Sequence, residues 1–178
     1  MNKIIALDCD GVLSDFVAGV LKWSKSIGLT NTREQITDFN IFKAWNRPDL
    51  WPAFSAEVAK KHWVSTLPVI DGAVSMVDDL RRLGEVVIVT SPYKGAPYWM
   101  QERNDWLEKH FGFMQKDIIH ATHKHLIRAD FLIDDAAHNI EKFPGIGLLV
   151  DQPWNRECTS GIMCKSYEEV LDTVGRMA

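Results

Sequence analysis

The chain has 178 residues, 46% of them hydrophobic and 25% charged, with a formal net charge of −4. This suffices for one core with an elaboration, is short for two independent cores, and excludes a disordered chain. Mild acidity without any long Lys or Arg run argues against a nucleic-acid polymer or an anionic membrane as partner.

The first apolar run, Ile4 to Leu7, stops at Asp8. It is too short for the core of a signal peptide, and no window approaches the ~20 apolar residues of a membrane span. A cytosolic protein is therefore expected. From Asp15 to Ile27 apolar residues recur at three- and four-residue spacing, which predicts a helix. From about Asn31 to Thr66 the pattern changes to Trp, Phe, Lys and polar residues, punctuated by Pro48 and Pro52 and without a strand signal. This stretch is too long for a simple connection. Together with the Asp15 helix it predicts a mostly helical lobe over 15–66, set into a core formed by 1–14 and 67–178.

Helical spacing returns in Ala73 to Leu83 and in Tyr98 to Phe111, and Gly28, Gly84 and Gly112 follow the three helices as stop signals. Val86 to Val89, Phe131 to Ile133 and Leu148 to Val150 are short apolar runs like the first. Such runs between helices predict strands of a parallel sheet buried on both faces, hence an α/β class. Cys9, Cys158 and Cys164 form no CxxC pair, so thiols are expected rather than disulfides or a zinc knuckle. Seven Trp residues are the compositional oddity, serving a core or stacking on a flat ligand.

The apolar runs end alike. The first leads into Asp8-Cys9-Asp10, the second into Thr90-Ser91-Pro92, the third into Asp134-Asp135, the fourth into Asp151. Each group alone reads as a turn or a cap. In open parallel sheets, however, ligands bind beyond the carboxyl ends of the strands, so neighbouring strands would gather these groups in one crevice. Gathered carboxylates repel one another unless a cation or proton intervenes. An oxygen-only donor set favours a hard ion, and Mg²⁺ takes a few carboxylates while keeping water and phosphate oxygens. The Thr90 and Ser91 hydroxyls, the N–H groups of the Gly11 turn and Lys124 complete an expected phosphate site.

Asp8-Cys9-Asp10-Gly11-Val12-Leu13, Val89-Thr90-Ser91-Pro92, Lys124 and Leu132-Ile133-Asp134-Asp135, in this order, resemble the four motifs of the haloacid dehalogenase (HAD) superfamily. The continuation Ser14-Asp15-Phe16 resembles its 5′(3′)-deoxyribonucleotidase branch. So does the set of Trp99, Glu102, Arg103, Trp106 and Lys109-His110-Phe111-Gly112, and Asp151 to Arg156 is similar to a late segment of bacterial and phage relatives. The resemblance covers roughly 1–14 and 67–156 and fades in the lobe. It implies a Rossmann-like core with a helical cap inserted after the first strand.

It also implies roles. Asp8 would be the nucleophile that forms an aspartyl-phosphate, and Asp10 the general acid and then base, with its backbone carbonyl on Mg²⁺. Thr90 and Ser91 would hold phosphate oxygens, and Lys124 would bridge Asp8 and the phosphoryl group. Asp135 would be a direct metal ligand beside Asp8, with Asp134 in the outer shell. Phe16 matches an aromatic that stacks on the base, and Phe42, Trp45, Trp51 and Trp63 are further candidates. Lys94 and Arg103 could reach the phosphate from the side, or simply lie on a charged helix face. His123 and His125 could bind zinc, with exposed loop histidines preferred. The expected substrate is a nucleoside monophosphate, taken by a monomer or homodimer. The alternatives are a sugar phosphate or another small phosphomonoester, and a non-catalytic binding protein on the same fold.

Overall fold

The computed structural model describes residues 3–177. Six strands form one parallel sheet: β1 (Ile4–Leu7), β2 (Glu85–Thr90), β3 (Ile118–His120), β4 (Phe131–Asp134), β5 (Ile146–Val150) and β6 (Ile162–Cys164). Their order is β3-β2-β1-β4-β5-β6, so chain direction across the sheet reverses between β1 and β4. That reversal opens a crevice beyond the ends of these two strands.

The helices are α1 (Phe16–Ser26), α2 (Ile41–Ala44), α3 (Trp51–Val58), α4 (Ala73–Leu83), α5 (Trp99–Phe111), α6 (Ala137–Ile140) and α7 (Tyr167–Met177). Alternation along β1 sends Ile5 and Leu7 to one face of the sheet and Ala6 to the other. Ile5 and Leu7 join Met76, Leu80, Trp106, Leu107 and Val170 under α4, α5 and α7. Ala6 joins Leu132, Leu149, Ile140 and Phe143 on the α6 side. The four expected strands and three expected helices are all present. β3, β6, α6 and α7 were not expected, the two strands being only three residues each and α6 only four.

Gly112 closes α5 in the left-handed conformation at φ 69°, as a stop signal should. Gly84 differs, because its backbone is extended at φ −173°. Its reason is proximity: a Cβ there would lie 2.5 Å from the Lys3 carbonyl oxygen.

Between α1 and α4 the chain builds a separate apolar cluster from Val17, Val20, Trp23, Phe42, Trp45, Phe54, Trp63 and Leu67, with Trp99 of α5 entering from below. Asp15 caps α1 by accepting from the Ala18 N–H at 2.8 Å. The segments entering and leaving this region run side by side. Ser14 bridges Val69 antiparallel, the Asp15 N–H donates to the Pro68 carbonyl at 2.9 Å, and the Ile70 N–H donates to the Leu13 carbonyl at 2.8 Å. The α5 helix grips the returning segment: Glu102 accepts from the His62 and Val64 N–H groups, and Trp106 Nε1 donates to the Leu67 carbonyl at 2.9 Å.

Candidate active site

β1 ends at Leu7, and the Asp8 N–H still donates to Ile133 of β4 at 2.9 Å. The pairing carries Asp8 to the mouth of the crevice beside Asp134 and Asp135. One carboxylate oxygen from each of Asp8, Asp134 and Asp135 lies within 4.8 Å of the others. Lys124, from the turn before β4, reaches in between: its Nζ is 2.6 Å from Asp8 Oδ1 and 2.8 Å from Asp134 Oδ2. All four groups are buried.

The two adjacent acids differ in their partners. The Asp134 carboxylate accepts from Lys124, from the Ala136 N–H at 2.8 Å and from Asn139 Nδ2 at 3.0 Å. The Asp135 carboxylate accepts no hydrogen bond among the described residues. Only its backbone carbonyl is held, by Asn155 Nδ2 at 2.8 Å, and the same nitrogen also donates to the Val150 carbonyl. Gly11 accounts for how closely the first loop approaches it. At φ 77° the position lies in the left-handed region, and a Cβ there would come 2.2 Å from Asp135 Oδ2. Gln152 Nε2 ties that loop down by donating to the Gly11 carbonyl at 2.9 Å.

Burial dominates the ionisation of this cluster. It pushes the Asp8 carboxyl up to about 7, the Lys124 ammonium only partly opposing the desolvation and the nearby Asp134 adding to it. Burial and the Asp134 charge likewise hold the Asp135 carboxyl well above its ordinary value. Lys124 is raised: its two carboxylate partners outweigh burial, which alone would lower it. Asp8, Asp10, Asp134 and Asp135 carry four potential negative charges against Lys124 and Arg103. The two-charge excess, the free Asp135 carboxylate and the all-oxygen donor set fit a divalent cation.

Above the acids lies a cavity of about 380 Å³. Asp8, Asp10, Gly11, Ser91, Lys124 and Asp135 form its floor. Its walls are Phe16, Phe39, Ile41, Phe42, Trp51 and Phe54 from the lobe, with Tyr93, Trp99, His138 and Trp154 from the core. Trp51 and Tyr93 stack at 6.3 Å with 21° between their planes. Phe39 meets the His138 ring edge-on at 5.0 Å across the rim. Thr90 ends β2 fully buried, and its Oγ1 has no hydrogen-bond partner among the described residues. The Ser91 hydroxyl donates to the Ala121 carbonyl at 3.2 Å.

Asp8, Asp10, Ser91, Lys124, Asp135 and Phe16 thus meet around one cavity, with Thr90 and Asp134 buried beside it. Four expected site residues do not. Trp45 packs edge-on against Phe42 at 5.8 Å inside the lobe. Trp63 is wedged between Phe16 at 5.5 Å and Trp99 at 6.0 Å, where a large indole gains more by filling the core than by facing a ligand. Lys94 is exposed in the loop before α5 and does not line the cavity. Arg103 is fully buried beneath the floor and grips Asp10, so neither the expected phosphate contact nor a charged surface face describes it.

Several contributors carry no role legible in the sequence. Gln152 and Asn155 lie in the late segment Asp151 to Arg156, which stands out only by its resemblance, and the structure gives them their part in holding the first loop and Asp135. Asn139, His138 and Phe39 lie in short helices and loops without periodicity, and no pattern marked them.

Comparison with known proteins agrees with this geometry. The chain matches the family described as 5′ nucleotidase, deoxy (pyrimidine), cytosolic type C protein, over residues 2–178. It is 28% identical over 173 residues to a 5′(3′)-deoxyribonucleotidase of Bacillus subtilis, covering 96% of this chain and 97% of the relative. It is 33% identical over 149 residues to the mitochondrial 5′(3′)-deoxyribonucleotidase of Mus musculus, covering 74% of this chain and 63% of the relative. Among solved structures, a haloacid dehalogenase-like hydrolase from Streptococcus pneumoniae superposes with a TM-score of 0.64 at 12% identity, over 97% of this chain and 98% of that one. A HAD hydrolase from Bacillus subtilis, bound to magnesium, superposes with a TM-score of 0.59 at 14% identity over the same shares. These likenesses show the fold, and the full-length match in sequence shows more: the chain belongs to the 5′ nucleotidase, deoxy (pyrimidine), cytosolic type C family.

Proposed function

We propose that the protein is a Mg²⁺-dependent phosphomonoesterase that hydrolyses nucleoside monophosphates, deoxyribonucleotides foremost, through a phosphorylated Asp8. The observation that carries this reading is the Lys124-bridged acid cluster at the floor of a cavity whose walls are aromatic. The floor suits a phosphate and the walls suit a flat base.

Asp8 Oδ attacks phosphorus, an Asp8–P bond forms, and the bond from phosphorus to the nucleoside oxygen breaks. Asp10 gives its proton to that departing oxygen, then takes one from the water that cleaves the Asp8–P bond and releases phosphate. Lys124 holds Asp8 in line and faces the phosphoryl oxygens, an arrangement in which positioning supplies much of the rate. The Thr90 and Ser91 hydroxyls hold phosphate oxygens, the unpartnered Thr90 Oγ1 being the stronger candidate.

Asp8, Asp135 and the Asp10 carbonyl would hold Mg²⁺, and Asp134, already engaged by three donors, would act from the outer shell. When bound, the ion supplies positive charge beside the phosphoryl oxygens. Residues 15–66 act as the specificity lobe, with Phe16, Phe42, Trp51 and Phe54 against the base. A sugar phosphate would leave those ring faces unmatched, and a non-catalytic role would leave the acid pair without a purpose. Free thiols at Cys9, Cys158 and Cys164 suit a reducing, cytosolic compartment.

The test is phosphate release from dUMP, dTMP, UMP and hexose phosphates, with Mg²⁺ and with chelator. Mg²⁺-dependent release favouring deoxynucleotides is expected. A preference for hexose phosphates overturns the substrate class, and no release from any of them overturns the reaction.

A further inference from the structure

We infer that Arg103 is the positioning residue for Asp10, acting on departure of the leaving group and entry of water and not on phosphate binding. This rests on the reading of Asp10 as proton donor and acceptor.

Arg103 sits on α5, one residue past Glu102, and no part of its side chain is exposed. Its Nη2 donates to both Asp10 oxygens, at 2.6 and 2.8 Å, while Nη1 donates to Cys9 Sγ at 3.1 Å. The guanidinium lies between two indoles, 5.0 Å from the Trp99 ring centre and 5.6 Å from that of Trp106. A planar group between two ring faces has little freedom, so the direction of its donors is fixed. Asp10 is the mobile member of the pair: its side chain is 26% exposed and lines the cavity, whereas Arg103 does not. Whatever Arg103 does to substrate therefore passes through the Asp10 carboxylate.

A carboxyl that must first give and then take a proton has to present one oxygen within hydrogen-bond reach of the departing oxygen, and later of water. Nη2 meets both carboxylate oxygens while Nη1 is anchored on Cys9 Sγ, so a plane held at two points and flanked by two rings sets the rotation of that carboxylate. A lysine ammonium would lack the second anchor and the stacked plane, and would leave the rotation free. The same α5 turn also carries the lobe through Glu102 and Trp106, so the direction of Asp10 and the seat of the lobe share one rigid element.

The discriminating measurement is the dependence on leaving group in Arg103→Lys and in Arg103→Met, the latter an apolar replacement for the slot between the indoles. Nucleoside oxygens are poor leaving groups that need the Asp10 proton, and p-nitrophenolate is a good one that does not. The expected result is a fall of ~10²-fold in kcat/KM for dUMP, the low end of general acid catalysis, with a far smaller fall for p-nitrophenyl phosphate. A burst of p-nitrophenol should also appear, because slowed hydrolysis of the Asp8–P bond lets phosphoenzyme accumulate. The dUMP loss should vanish in an Asp10→Asn background, where the two substitutions act as a unit.

Equal losses for both substrates, no loss for either, or failure of both variants to fold would each overturn the inference in favour of a phosphate-binding, idle or purely structural arginine. Failure of the functional reading is seen separately, since wild-type protein would then release phosphate from neither substrate.

Discussion

Lys124 Nζ touches Asp8 at 2.6 Å, yet the Asp8 carboxyl is pushed up to about 7. Desolvation outweighs the ion pair. An acid whose folded value lies above its ordinary 3.8 contributes stability that is fully present at low pH and lost as pH rises through the folded value. Metal-free protein should therefore lose thermal stability as pH rises from about 4 to about 7 on account of Asp8, and Asp135, shifted the same way, should add to the loss. Mg²⁺ binds the ionised form, so its stabilising effect should grow over the same interval, reaching ~2.7 kcal/mol at a hundredfold excess over Kd. Scanning calorimetry in chelator and in Mg²⁺ across this range checks both slopes. A metal-free melting point that climbs with pH contradicts them.

Asp8→Asn keeps the shape of the side chain and removes the nucleophile. Turnover of dUMP should drop by ~10³-fold or more. The metal-free variant should melt no lower than wild type at alkaline pH, because a costly buried charge has gone. Phosphate release and a melting curve on the same preparation test the pair, and retention of full turnover would remove Asp8 from its role.

Gly11→Ala places a methyl group where the Asp135 carboxylate now sits, on a backbone at φ 77°. The left-handed conformation costs a residue with a Cβ about 1–2 kcal/mol, and displacing Asp135, a direct ligand in the proposed site, should weaken Mg²⁺ by at least the ~10–100-fold that disturbing an outer contact costs. A Mg²⁺ titration of activity, with a denaturant melt beside it, separates the two effects. Unchanged Mg²⁺ dependence would show that Asp135 can shift freely.

Trp51 and Trp63 look equivalent in the sequence and should behave oppositely. Trp51 is 47% exposed and faces the cavity, so Trp51→Ala should raise KM for deoxynucleotides with little loss of stability. Trp63 is 8% exposed inside the lobe cluster, and Trp63→Ala should cost ~3–5 kcal/mol. Steady-state kinetics and urea melts on the two variants distinguish the roles, and a reversed pattern would contradict the assignment.

The contrast between these tryptophans marks how far the chain was legible. Ile4 to Leu7 and Phe131 to Ile133 announce buried strands because every residue is apolar, and the acids that follow stand out against them. The α/β fold follows from that punctuation and the family from the resemblance of the motifs; the six-stranded parallel sheet bears out the first and the match over residues 2–178 the second. β3 is a three-residue strand whose Ile119 is 38% exposed, and β6 is equally short, so neither has enough residues to display a period. The lobe resists for another reason: apolar residues cover both its core and its ligand wall, so composition cannot tell Phe42 from Trp45. Arg103 hid because a helical arginine normally faces solvent, and only the folded chain shows that Asp10 is near enough to take it inside.

The antiparallel contact of Ser14 with Val69 has a further reach. The polypeptide leaves the core and returns to it at hydrogen-bonded neighbours, and closing a longer segment between them costs only ~0.6 kcal/mol for each doubling of its length. A lobe of another size or shape could be grafted between these two positions while the acids beneath kept their places. Selectivity and chemistry can therefore diversify separately in proteins built this way.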